Sequence, residues 1–103
     1  MSMNAHHCNA VLTEDREKAE WAFSAIEEVF TEVWGKVVNR RMTKSDMRLT
    51  FESGELLVWL KPSQELRGYR FHRLFADHEL TVEYIRAYVL PYIRCSVDDI
   101  VWI

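Results

Sequence analysis

The sequence predicts an α+β fold, ordered α-β-β-β-α, with the helices on one face of a small antiparallel sheet and a short fourth strand possible at the carboxy terminus. Three observations predict it. Apolar residues recur at helical spacing after Thr13, the stretch from Met47 to Phe75 alternates or runs apolar in strand-length pieces, and a second helical pattern begins at Thr81. Residues 1–12 read as a flexible amino-terminal arm or a short added strand at Ala10-Val11-Leu12, and residues 13–103 as one α+β domain.

The first helix starts at Thr13 as N-cap, with Glu14, Asp15 and Glu17 in the first turns, where the helix dipole favours negative charge. Its apolar stripe is Ala19, Ala22, Phe23, Ile26, Val29, Phe30, Val33 and Val37. Trp21 falls outside the stripe. At about 100° per residue it shares the outward face with acids such as Glu17, Glu20 and Glu28. The helix is expected to end between Trp34 and Arg41, after which Thr43-Lys44-Ser45-Asp46 forms a polar connection.

Met47, Leu49 and Phe51 alternate with polar residues, the pattern of a half-buried strand, and Ser53-Gly54 turns the chain into a second arm. That arm, Leu56-Leu57-Val58-Trp59-Leu60, is apolar throughout and requires cover on both sides, which marks it as the central strand. Lys61-Pro62 ends it. The third strand is expected over Tyr69–Phe75, where Arg73 breaks the apolar set, so that either the strand twists or bulges there or the arginine lies near the sheet's rim with its stem packed and its head in water. Thr81 then caps the second helix, Leu80 and Ile85 staple its start, and Val82, Ile85, Tyr88, Val89, Tyr92 and Ile93 form its apolar side. Pro91 stops or kinks it near Leu90. Ile100-Val101-Trp102-Ile103 is too apolar to dangle and is expected to pack, as a fourth strand if it pairs.

A chain of 103 residues with a hydrophobic fraction of 49% can bury one modest core, and that composition argues against disorder. The longest apolar runs fall far short of a membrane span, and the first residues lack the basic start and apolar centre of a secretory signal. Two cysteines far apart point to a reducing cytoplasmic setting. The net charge of −3 is unevenly spread: residues 14–32 carry seven acids and two bases, whereas residues 36–48 carry five bases and one acid.

The helix-three strands-helix order resembles that of the double-stranded RNA-binding domain. That family carries basic residues at the start of its last helix and a histidine-bearing loop between its first two strands. Here the helix opens Thr81-Val82-Glu83 and the loop is only Ser53-Gly54, and both departures count against duplex RNA. A wider nucleic-acid reading gathers Arg40, Arg41, Lys44, Arg48, Arg67 and Arg70 as a basic stripe, with Tyr69 and His72 as stacking partners. The plainer account is that these arginines solubilise an open sheet face and guard its edges.

His6, His7 and Cys8, with Cys95, His72 or His78, are the donor types that suit zinc, but no CxxC or HxxxH spacing is present, and no cofactor is expected. Asp77-His78-Glu79, or Asp98 and Asp99 with His72, are acid–base candidates that turn and capping roles explain equally well, and with no phosphate loop or nucleophile elbow the chain is expected not to be an enzyme. Protein binding uses what the fold does not need. Trp21 with Glu17, Glu20, Glu27 and Glu28 is the expected partner-binding face, whereas Trp59 and Trp102 are expected in the core. The expected role is an inhibitor or adaptor that occludes a partner's surface, of the size and character of immunity, antitoxin or phage anti-defence proteins. Nucleic-acid binding by the sheet arginines is the alternative. A homodimer through the open face or edge fits either reading.

Overall fold

The computed structural model describes residues 8–62, 71–92 and 100–103. These contain two helices and a six-stranded mixed sheet, so the α+β class holds. In chain order the elements are β1 (Cys8–Leu12), α1 (Arg16–Trp34), β2 (Val37–Met42), β3 (Met47–Phe51), β4 (Leu56–Leu60), β5 (Arg73–Ala76), α2 (Val82–Tyr88) and β6 (Ile100–Trp102), with one 3₁₀ turn at Leu90–Tyr92. The strands lie side by side as β2-β3-β4-β1-β5-β6.

The expected small antiparallel sheet accounts for only half of this. β2, β3 and β4 pair antiparallel, but β1 runs parallel to both β4 and β5, and β5 runs parallel to β6. Ala10-Val11-Leu12, read above as an arm or an added strand, lies inside the sheet with a neighbour on each side. Such a strand is buried on both faces, so it shows an unbroken apolar run rather than alternation. Val11 enters the core beneath α1, and Ala10 and Leu12 enter the core beneath α2.

The expectation that both helices share one face is therefore corrected. α1 carries the chain from β1 to β2, which is parallel to it, and α2 carries it from β5 to β6 in the opposite direction along the sheet. Parallel crossovers are right-handed, so connections moving in opposite directions cover opposite faces. Ala19, Ala22, Phe23 and Ile26 of α1 pack on Val11, Leu49, Leu57, Trp59 and Phe75. Ile85 and Val89 pack on Ala10, Leu12, Val58, Leu74 and Ala76 on the other side. β4 supplies Leu57 and Trp59 to one core and Val58 and Leu60 to the other, which satisfies its demand for two-sided cover.

Local chemistry sets the element ends. Asp15, not Thr13, caps α1: its carboxylate accepts from the Glu17 and Lys18 amides. The helix stops at Trp34 because Gly35 takes φ 84° and ψ −174°, a region almost closed to other residues, while its amide donates to the Thr31 carbonyl at 2.9 Å. Trp34 then stacks on Phe30 with centroids 4.2 Å apart and meets the Phe51 ring edge-on at 5.1 Å. The Arg73 guanidinium lies over the Phe30 and Trp34 rings at 5.5 and 6.0 Å, so the head that was expected in water rests on the aromatic cluster. Val37 belongs to β2 rather than to the helix, and Val29 and Val33, assigned above to the buried stripe, are exposed.

Gly54, at φ 97°, closes the β3–β4 hairpin, and the Phe51 amide donates to the Glu55 carbonyl at 2.9 Å. Thr81 caps α2 by accepting from the Tyr84 amide at 3.0 Å. On α2 only Ile85 and the following Val89 are fully buried, whereas Tyr88 and Val82 face outward. Tyr69 lies outside the described residues, as does Ile93, and the third strand is the shorter β5.

A Cβ on Gly35 would stand 2.8 Å from the Glu52 Cβ and 2.7 Å from its Oε1. Gly35→Ala is therefore expected to destabilise the fold by about 1–3 kcal/mol in urea denaturation, from combined backbone strain and clash. A change below about 0.5 kcal/mol would show that the junction reorganises freely.

Candidate functional site

α1 presents the face expected to bind a partner, and the structure divides the expected residues. Trp21 is 61% exposed, and Glu17 and Glu28 are exposed beside it. Glu20 is bound to Arg16 one turn earlier, and Glu27 takes Arg40 of β2 in a two-pronged pair at 2.8 and 3.2 Å. Those two acids brace α1 and are withdrawn from the outward charge. In their place the outward side gains Val29 and Val33, 67% and 73% exposed. With the half-buried Ala25, they form a row at four-residue spacing from Trp21, one ridge along the helix. Trp102, expected in the core, is 42% exposed on β6, and Trp59 is buried as expected.

The basic stripe does not form one surface. Side chains alternate across a strand, so Arg40 points to the α1 face, where Glu27 holds it, and Arg41 points to the other. Arg41 pairs across the strands with Arg48, on the same open face, and Lys44 is exposed on the β2–β3 turn. Arg67 and Arg70 lie outside the described residues. So do His6, His7, Cys95, Asp98 and Asp99; among the described residues no three His, Cys, Asp or Glu side chains converge.

Arg41 and Arg48 line a recess of about 470 Å³ with Asn39, Thr43 and Thr50. A second recess of about 300 Å³ adjoins it at Arg48 and is walled by Cys8, Leu56, Val58 and Leu60, with Ser45 and Asp46 at its rim. Burial pushes the Cys8 thiol up to about 11, against the lowering influence of Arg48, so it is a protonated thiol at neutral pH.

A third constellation joins Asp77, His78 and Glu79, named above as acid–base candidates, to Thr13 and Lys18, a link missed in the sequence. β1 and β5 are adjacent and parallel but send their helices to opposite faces, and the crevice beyond the carboxyl ends of such strands is the usual ligand position in open sheets. Here protein groups fill it. The Thr13 hydroxyl donates to Asp77 Oδ2 at 2.7 Å, Lys18 Nζ donates to Asp77 Oδ1 at 2.6 Å, and the Glu79 amide donates to the same oxygen at 3.0 Å. Trp59 Nε1 donates to the Thr13 carbonyl at 2.9 Å. His78 Nδ1 lies 3.0 Å from Lys18 Nζ and 2.8 Å from the Ile103 main-chain oxygen.

Burial raises the Asp77 carboxyl, but Lys18, the Glu79 amide and Thr13 together outweigh it and hold its pKa below the ordinary carboxylate value. The network is closed: each Asp77 oxygen already has a donor, and it ties the start of α1 to the end of β5. Thr13 was legible only as a cap, and Asp77 only as a turn residue or an acid–base candidate with His78 and Glu79, because the parallel pairing that joins Thr13 to Asp77 across 64 positions leaves no local mark.

No family model, curated protein or solved structure matches the chain. Among the described residues no helix is long and apolar enough to cross a membrane.

The depressed pKa of Asp77 sets a pH signature. The stability it adds is present above the unfolded-state carboxyl pKa near 3.9 and is lost as pH falls through the lower folded value. Asp77→Asn is expected to cost on the order of 2 kcal/mol at pH 7, since it leaves Lys18 unpaired. The deficit relative to the wild type should shrink on titration from pH 5 to pH 2. A deficit constant over that range would contradict the account.

Proposed function

We propose that this chain is a protein-binding module that acts by occluding a partner's surface through the outward side of α1, in the manner of a small inhibitor or adaptor of immunity, antitoxin or anti-defence character. The observation that carries the reading is the exposed ridge Trp21, Val29 and Val33 flanked by Glu17 and Glu28. Those apolar side chains contribute little to the core, yet each would yield about 1.5–3 kcal/mol if fully buried against a partner. Tryptophan is enriched at binding hot spots, and acids at the margin steer a basic surface into place. The closed Thr13–Lys18–Asp77 network, where catalysis would otherwise be sought, supports binding rather than chemistry. The free Cys8 thiol supports a reducing, cytoplasmic setting.

The test is capture from nuclease-treated lysate of the source organism with the wild type, Trp21→Ala and the double variant Val29→Ser/Val33→Ser. Both variants should retain stability within about 0.5 kcal/mol and lose the partner recovered by the wild type. A partner retained in full by both variants would refute the assignment of the surface. Recovery of a second copy of this chain alone would replace the partner reading with self-association.

A further inference from the structure

The two adjoining recesses, one over β2 and β3 and the other where that open half meets β4 and β1, have no part in the proposed α1 surface. Across the strands, Arg41 stands directly opposite Arg48, and Arg48 stands opposite Val58 on the same face. A like-charge pair in direct register is destabilising, so the fold gains nothing from it. Asp46 relieves part of the repulsion as an ion-pair partner, its Oδ2 lying 3.0 Å from Arg41 Nε, while the Arg41 side chain stays largely exposed. Arg48 has no ion-pair partner among the described residues, and the side chains of Asn39 and Thr50 make no hydrogen bonds there. The Thr43 hydroxyl is already engaged, donating to the Asp46 carbonyl at 2.9 Å. The recess therefore presents two guanidinium groups, an amide and a hydroxyl, with one carboxylate committed to Arg41.

We propose that this face binds a nucleotide unit, free or within a single strand, with its phosphate between Arg41 and Arg48 and its base against the apolar wall of Leu56, Val58 and Leu60. A carboxylate has two acceptor oxygens and can be satisfied by one guanidinium. A phosphate offers more oxygens and can take both arginines together with Asn39 and Thr50. The second recess adds the complement to the charge: it begins at Arg48 and continues along the half-buried Cys8 and Leu56, with the buried Val58 and Leu60 beneath, an apolar lining that suits a ring joined to the anion. Asp46 at the boundary disfavours a second phosphate there, so the charge and the ring have separate places.

The experiment is fluorescence anisotropy of a labelled single-stranded oligonucleotide at low salt, competed with a mononucleotide and with inorganic phosphate. Arg48→Gln is expected to weaken binding about tenfold. Arg40→Gln removes the same charge from the α1 face and should change it less than about twofold. Full competition by the mononucleotide identifies the free nucleotide as the ligand, and competition only by unlabelled strand identifies the strand; both support the site. Absence of binding, equal losses in the two variants, or inorganic phosphate competing as well as the mononucleotide would overturn it. The α1 ridge lies on the opposite face, so Trp21→Ala should leave this binding unchanged whichever way the partner experiment falls.

Discussion

The structure depends on the parallel pairing of β1 with β4 and β5. β1 is only five residues long, yet each of its long sides is hydrogen-bonded to a neighbour, and its two faces feed two separate cores. Its extensions make the remaining ties: the Thr13 amide donates to the Leu60 carbonyl, the Asp77 amide to Leu12, and the His72 amide to Cys8. Removing this strand would separate the β2–β3–β4 meander from β5–β6 and open both cores together. Parallel sheets need such two-sided cover, and α1 and α2 provide it by crossing in opposite directions.

This arrangement covers the sheet unevenly. Over β4, β1 and β5 both faces carry apolar side chains into a core, whereas β2 and β3 are covered only on the α1 side. The uncovered half is therefore polar, with Asn39, Arg41, Arg48 and Thr50 outward. Similarly, α1 spends one side on the core and leaves Trp21, Val29 and Val33 to solvent. Residues that contribute little to stability are concentrated at these two places, and the functional readings rest on them.

Much of the antiparallel half was legible from sequence. Met47–Phe51 alternates, Gly54 marks its turn, and the apolar Leu56–Leu60 announces burial on both sides. Trp21 was also legible as an outward residue, because helical phase is a local property. β1 was legible only as an arm or a short added strand, because a short apolar run carries no periodicity and its partners lie 48 and 64 positions downstream. β2 was hidden for the opposite reason: as an edge strand with a bulge at Val38 it is polar and exposed, VVNRRM, and reads as a frayed helix end. The end of α1 misled in a third way. Val33 and Val37 fit the stripe by spacing, but Gly35 ends the helix, and Trp34 takes the inward place against Phe51. The two-faced placement of the helices follows from strand direction, which no local pattern reports.

Native-state hydrogen exchange of the β1 amides tests the central claim most directly. If β1 is the inner strand, the amides of Ala10, Val11 and Leu12 should exchange only through global unfolding, with protection equal to that of Leu57–Leu60 and Leu74–Ala76. Exchange of Ala10–Leu12 at the rate of the exposed edge strand β2, while β4 stays protected, would contradict it and return this segment to the status of an added arm.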